Sequence, residues 1–442
     1  MKSLEECEEY LLNIPKFKKK TLLSDTKKFY EQLGSPGKSI PKIHVAGTNG
    51  KGSTCFYTSE ILSAHGLKTG LFTSPHLVTM KERFVCNGQM ISDEEFIEIF
   101  ELIKKRCEML DEDEKISLHP SFFEYLFLMF MEWMQRINAD AIVLETGLGG
   151  ALDATNIFDD PKVCVICSVG MDHMEQLGNT IESIAGQKAG IIKRNVPLVY
   201  LDNGKTVNDI FEEKAKEGAS ETYVLSDSNI RDFVAYEKRI AFSLDINYDN
   251  IDFVHDLSVS LPTDATYQRY NSSLALMASK LFLKDKFDEK KALKALSKKS
   301  FKGRFEEVAD GIYVDGAHNE DALERLLESV KVKDEKRNLI FAACVDKNYA
   351  KMIERVVESE LFDTIIFTRI DSPRSADPEE MFKIAENAKK CMKADKAENT
   401  HCDMLVTDSL AKAVEALPKN RKSYIAGSLY LVGEAETLFN KA

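Results

Sequence analysis

Residues 43–54 read Ile43-His-Val-Ala-Gly-Thr-Asn-Gly-Lys-Gly-Ser-Thr54. The apolar pair Ile43 and Val45 gives way to glycines at 47, 50 and 52, and a helix-like segment continues to about Gly66. Strand, glycine loop and helix in that order make a phosphate cradle. Backbone N–H groups of the loop converge on an anion, and the helix N-terminus adds the positive end of its dipole. Lys51 can reach the outer phosphates, and Ser53 or Thr54 can offer a hydroxyl to Mg2+. The spacing is not that of G-x-x-x-x-G-K-[ST]: Gly47-Thr-Asn-Gly50-Lys51-Gly52-Ser53 is shortened, with a glycine between lysine and serine. Taken alone, such a loop also reads as an ordinary glycine-rich βα turn. Its surroundings favour nucleotide binding.

On both sides of the loop, strand-like and helix-like runs alternate. Lys68–Thr73, Asp140–Glu145, Lys162–Val169 and 196–201 read as strands, and 121–136 and 180–190 as helices. Asn87-Gly88 marks a hairpin between them. This alternation predicts a mostly parallel, doubly wound sheet. Residues 221–262 change to short strand-like runs (Thr222–Leu225, Phe233–Ala235, Arg239–Leu244, Ile251–Leu261) and are expected to form a small antiparallel extension. Helices at 264–283 and 287–298 lead to a candidate linker, Lys298–Gly303. From 304 onward strands near 312–315, 338–343, 363–368 and 422–426 alternate with helices, a second α/β domain of roughly 140 residues. The expected domains are 1–298 and 304–442.

The 442 residues carry a formal net charge of −13. No basic excess is available for a nucleic-acid surface. Small anionic substrates, which respond to local cations, stay open. No apolar run approaches the ~20 residues of a membrane span, and Met1-Lys-Ser-Leu-Glu-Glu6 lacks the apolar core of a secretory signal. Nine dispersed cysteines read as reduced thiols in a cytoplasm. Cys164-Val-Ile-Cys167 has CxxC spacing, but positions three apart on a strand face opposite sides, and neither a metal nor a redox role is expected.

Sites in α/β sheets lie at the C-terminal ends of strands. Four unusual segments fall there: the glycine loop, Ser74-Pro-His76, Glu145-Thr-Gly-Leu-Gly-Gly150 and Asp172-His173. Each has a plain structural reading, since a strand-end carboxylate often serves a helix cap and a histidine is usually a satisfied polar side chain. Together they suggest a metal–nucleotide site. Mg2+ takes carboxylate, hydroxyl and phosphate oxygens and few protein ligands, so Glu145 and Ser74 suit it, with His173 as a nitrogen donor. Lys188 follows Ile181, Ile184 and Ala185 at +7, +4 and +3, which places it on the inward face of its helix. It either snorkels to the rim or needs a partner or a modification that removes its charge.

The segments Gly47–Ser53, Ser74-Pro-His-Leu77, Phe122-Phe-Glu124, Glu145–Gly150 with Leu152-Asp-Ala-Thr-Asn156, and Asp172-His173 together resemble the folylpolyglutamate synthase/dihydrofolate synthase family of the Mur ligase superfamily. So do Lys188-Ala-Gly-Ile191, Gly303-Arg-Phe305, Asp315-Gly-Ala-His-Asn319 and Gly427-Ser-Leu-Tyr-Leu-Val-Gly433. The matches are collinear from residue 43 to residue 433. The resemblance implies a P-loop-type N-terminal domain and a Rossmann-like C-terminal α/β domain that use ATP to join L-glutamate to a folate or dihydropteroate carboxylate through an acyl phosphate. It implies that Gly50, Lys51, Gly52 and Ser53, flanked by Thr48, Asn49 and Thr54, hold the triphosphate. Ser74, Glu145 and His173 would serve two Mg2+ sites. Lys188 would be carbamylated. Asn271, Arg304 and Asp315 would meet adenine, phosphate and ribose, with His318 in the same second-domain motif. Phe122, Phe123, Glu124, Leu152, Asp153 and Ala154 would line the pterin pocket. Because 304 and 315 lie across the linker, ATP is expected between the domains. A monomer is expected.

The sequence departs from the family pattern in places. Ala151 stands where arginine is usual, Phe127 replaces a threonine, Tyr267–Asn271 is a loose version of its segment, and Glu320 replaces a proline. A muramyl-peptide ligase would have the same chemistry but an extra N-terminal domain, for which the ~40 residues before Ile43 leave no room. A non-catalytic ATP-binding regulator is opposed by Lys51, Glu145, His173 and Lys188, while Ala151 leaves it some room.

Overall fold

The computed structural model describes residues 3–14, 23–112, 119–248, 251–332, 337–395 and 402–440. The chain forms two compact units. One takes the chain up to Arg231 with Ser243–Val259 and Tyr270–Ser297; the other takes Asp232–Phe242, Ser260–Arg269 and the chain from Lys298 onward. Two short segments before residue 298 therefore belong with the second unit.

The first unit is built on an eight-stranded sheet of β1 (Lys42–Ala46), β2 (Thr69–Phe72), β3 (Val85–Cys86), β4 (Gln89–Met90), β5 (Ala141–Glu145), β6 (Val163–Ile166), β7 (Leu198–Leu201) and β8 (Thr222–Leu225), in the order β4-β3-β2-β5-β1-β6-β7-β8. From β2 to β8 all neighbours are parallel; β3 and β4 form the antiparallel edge hairpin. The central strands β1, β5 and β6 are buried at every position, as expected of strands covered on both faces. Helix Lys51–Ala64 packs on β1, β2 and β5. Helix Phe122–Arg136, capped by Ser121 and Glu124, packs its aromatic side chains with Phe72, Ile142 and Leu144. The Phe72 ring alone meets Phe84, Phe123, Phe127 and Phe130 at 5.1–6.1 Å.

Thr222–Leu225 is a correction to the expectation of an antiparallel extension starting at 221. It pairs in parallel with β7 as the edge of the main sheet, reached through helix Lys205–Glu217. The separate three-stranded sheet holds only β9 (Ile230–Tyr236), β10 (Arg239–Tyr248) and β11 (Ile251–Leu261), in the order β11-β10-β9. The two-residue link Glu237-Lys238 makes β9 and β10 antiparallel. The helix expected from 264 begins at Gln268.

The second unit has a six-stranded sheet, order β12-β13-β17-β14-β15-β16, from β12 (Arg304–Ala309), β13 (Ile312–Asp315), β14 (Arg337–Phe341), β15 (Thr364–Phe367), β16 (Asp403–Val406) and β17 (Lys422–Ala426). Only β12 runs antiparallel to its neighbour. Neither β12 nor β16 is evident in the sequence. Phe305, Tyr313 and Tyr424 close its core with ring separations of 5.4–5.6 Å. Among the described residues no helix is long and apolar enough to cross a membrane.

Candidate active site

β1 ends at Ala46, and the glycine loop wraps the start of helix Lys51–Ala64. Gly50 caps that helix at φ 87°, a conformation that costs a side-chain-bearing residue about 1–2 kcal/mol. A Cβ there would also overlap Asn271 Oδ1, so Asn271, 7 % exposed, sits directly on the loop. The loop is stitched to the end of β6. Thr48 N donates to Ser168 O at 2.6 Å, and its hydroxyl donates to Gly170 O at 3.1 Å and accepts from Gly170 N at 3.0 Å. Ser168 Oγ donates to Asn49 O at 3.2 Å. Lys51 folds back and donates to Thr48 O at 3.1 Å. Gly52 and Ser53 lie in the buried first turn. The Thr54 hydroxyl accepts from the Cys167 thiol at 3.3 Å and lies fully buried.

Lys188 occupies the floor beneath this loop. It is 2 % exposed and donates to Gly47 O at 2.8 Å. Burial, reinforced by the charge of Lys51, brings its pKa down to about 7 against the opposing pull of Asp172. The inward direction read from helical spacing is correct, and snorkelling to the rim is not what the side chain does. Glu145, 3 % exposed at the end of β5, accepts from Ser74 N at 2.7 Å, joining the ends of β5 and β2. His173 lies after β6 with φ 51°; its N–H donates to Asp172 Oδ1 at 2.8 Å. Among the described residues no group of three or more His, Cys, Asp and Glu is gathered tightly enough to hold an ion by itself.

The loop bearing Ser74 depends on residues that motif reading passed over. Glu82 accepts from the N–H groups of Leu77, Val78 and Thr79 at 2.7–2.9 Å, and Arg83 Nε donates to His76 Nδ1 at 2.9 Å. The four-residue capping spacing Thr79-x-x-Glu82 was the available signal.

The residues assigned to a pterin pocket have unequal surroundings. Phe123 lies against Gly147, where a Cβ would come within 2.7 Å of its ring. Phe122 is buried beneath the Arg83 guanidinium at 5.6 Å. The Glu124 carboxylate accepts from Ser121 N at 2.7 Å and from the Thr26 hydroxyl, which ties it to helix capping. Leu152 is 52 % exposed and Ala154 is buried. Asp153 is buried and bonded to its own loop, as described below. Ala151 donates to Gln187 O at 2.8 Å and packs so tightly on Gly190 that a Cβ there would overlap it.

Arg304, Asp315 and His318 belong to the second unit. Asp315 ends β13, 5 % exposed, and accepts from Tyr267 Oη at 2.6 Å, Phe305 N at 3.0 Å and Ala317 N at 2.8 Å. Burial raises its pKa, while the Tyr267 hydrogen bond and the Arg304 charge oppose the rise. Arg304 donates to Gly303 O at 3.0 Å. His318 Nδ1 lies 2.8 Å from Gly316 O. Tyr267 is a further partner that the loose Tyr267–Asn271 motif concealed. The two CxxC thiols are structural: Cys164 donates to Ile191 O at 3.1 Å, and burial pushes both thiol pKa values up to about 12.

The sequence matches the Mur ligase middle domain over residues 45–279 and the Mur ligase glutamate ligase domain over residues 303–428. It is 33 % identical over 432 residues to a dihydrofolate synthase/folylpolyglutamate synthase of Bacillus subtilis (strain 168), covering 95 % of each chain. The chain belongs to the folylpolyglutamate synthase/dihydrofolate synthase family. A folylpolyglutamate synthase of Lacticaseibacillus casei is 30 % identical over 357 residues, 78 % of this chain and 81 % of that one. The folylpolyglutamate synthase structure from Thermotoga maritima superposes with a TM-score of 0.80 at 30 % identity, covering 99 % and 96 % of the two chains. That of Mycobacterium tuberculosis, solved with ADP and AMPPCP, gives 0.85 at 25 % identity over 99 % and 98 %.

Proposed function

We propose that this chain is an ATP-dependent ligase that adds L-glutamate to a reduced folate, with dihydropteroate as a second acceptor. The observation that carries the reading is the pair of lysines on the phosphate loop. Lys51 folds over it, and Lys188 is buried beneath it on Gly47 O. Cations so placed neutralise charge on a transferring phosphoryl group, and such transfer is mostly positioning and electrostatics. A folate carboxylate oxygen attacks the γ-phosphorus and ADP departs. The glutamate amine then attacks the acyl carbon, phosphate leaves, and the amine proton goes to solvent.

Ser74, Glu145 and His173 fit Mg2+ as oxygen and imidazole donors and would hold it with the ATP phosphates, where the ion supplies charge neutralisation. The sparse protein donor set suits an ion that keeps water and substrate oxygens. Lys188 is in part a neutral amine near pH 7, the form that adds CO2 with loss of a proton to give a carbamate. That modification would replace a buried cation by an anion near Lys51 and is supported by the burial. We take Arg304, Asp315 and Asn271 as nucleotide contacts, Phe123 and Leu152 as pterin contacts, and the molecule as a cytoplasmic monomer, in keeping with its nine free thiols.

The test incubates purified protein with tetrahydrofolate or dihydropteroate, labelled glutamate and ATP, and separates the products. Glutamate incorporation into one or both pterins is expected. No incorporation into either overturns the reading and leaves an ATP-binding regulator.

A further inference from the structure

His44 interrupts the apolar run of β1 and is 3 % exposed. Its Nε2 lies 2.8 Å from Thr155 Oγ1, which lies 2.5 Å from Asp153 Oδ1. The order of this chain follows from its protons. A hydroxyl carries one proton and an ionised carboxylate only accepts. Thr155 therefore donates to Asp153 and accepts from the ring, which places the His44 proton on Nε2. Asp153 Oδ1 also accepts from Thr155 N at 2.9 Å, and Oδ2 accepts from Gly147 N and Leu148 N at 2.8 and 2.9 Å. Burial raises the Asp153 pKa, and the donors to both oxygens oppose that rise.

The ends of the chain give it consequence. His44 precedes Gly47, where the phosphate loop begins, by three residues; Gly147 and Leu148 follow Glu145 by two and three. Gly147 in turn has the Phe123 ring pressed against it. We propose that His44, Thr155 and Asp153 form one ordered hydrogen-bond chain that fixes the loop Thr146–Gly150 against β1. Asp153 is then the anchor of that loop, and His44 and Thr155 are positioning residues that act through it. Burial and the nearby Lys193 charge hold the ring pKa down to about 3, so the order survives across the working pH range.

The kinetic arm of the test rests on the ligase reading; the spectroscopic arm does not. In full-length protein with 15N-labelled histidine, His44 (assigned by loss of its signal in H44Q) is expected as the neutral Nε2–H tautomer, unchanged from pH 5 to pH 8.5. A ring that titrates in this range, or carries its proton on Nδ1, overturns the chain. Thr155→Val is expected to lower kcat for glutamate addition about tenfold, with KM for ATP within about twofold, and Thr155→Ser to restore kcat to within about threefold. A folded Thr155→Val with parental kcat, or a Thr155→Ser as poor as Thr155→Val, overturns it. If Thr155→Val does not fold, His44→Phe against His44→Gln replaces it, because Gln keeps a donor at the Nε2 position. A parent that incorporates no glutamate removes the ligase reading alone, and the tautomer then decides the chain.

Discussion

Replacing Lys188 by Met should make the protein more stable and inactive at once, with a pH dependence that reveals the cause. The buried amine is shifted from 10.5 to about 7, which corresponds to roughly 5 kcal/mol of preference for the neutral form. Below pH 7 folding must bury the cation, and that cost is fully present. Between pH 7 and 10.5 the folded amine is neutral while the unfolded one is charged, so the unfolded state binds more protons and stability rises with pH. Met of similar length removes the cost but leaves Gly47 O without its donor, which costs about 1–3 kcal/mol. The net gain at pH 6 is therefore about 2–4 kcal/mol, and it shrinks by about 1.4 kcal/mol for each pH unit above 7. The chain has a single tryptophan, Trp133, buried in helix Phe122–Arg136 of the first unit. Its fluorescence reports urea unfolding of the unit that holds Lys188. In CO2-free buffer the Met variant should unfold at higher urea than the parent at pH 6 and at nearly the same urea at pH 9. A Met variant less stable at pH 6, or a difference that ignores pH, would refute the reasoning.

Other expectations follow from the same geometry. Gly50→Ala meets both the left-handed backbone and Asn271 Oδ1 and should raise KM for ATP more than about tenfold, given a backbone cost of about 1–2 kcal/mol before the overlap; a parental KM would show the loop has room. Glu82→Ala releases three N–H groups of the loop that carries Ser74 and should raise the Mg2+ concentration for half-maximal activity about tenfold; an unchanged Mg2+ titration would separate that loop from the metal. Phe130→Ala empties the centre of the aromatic cluster and should cost about 3–5 kcal/mol in the Trp133 transition.

The site was more legible than its supports. Glycines 47, 50 and 52 after an apolar pair give the turn from β1 into helix Lys51–Ala64 from local sequence alone, and Lys188 is placed inward by helical spacing. The edge elements were not legible. β12 carries Glu306 and Glu307 with a single buried residue, Phe305, so its burial has no two-residue period to read. Helix Lys205–Glu217 starts at Gly204 without a side-chain cap, so its N-terminal signal is missing. Without that helix, Thr222–Leu225 looked like the start of an antiparallel run. Asp153 is bonded to Gly147 and Leu148 and, through Thr155, to a histidine 111 residues away from that threonine. No local pattern encodes such a connection.

The central claim is acyl-phosphate ligation of glutamate to folate, and one isotope measurement meets it directly. Tetrahydrofolate labelled with 18O in its side-chain carboxylates is incubated with the protein, ATP, Mg2+ and glutamate, and the released phosphate is analysed by mass. One 18O in the inorganic phosphate for each glutamate added is the predicted result. Unlabelled phosphate accompanying glutamate addition, or ATP hydrolysis with no glutamate added, would contradict it.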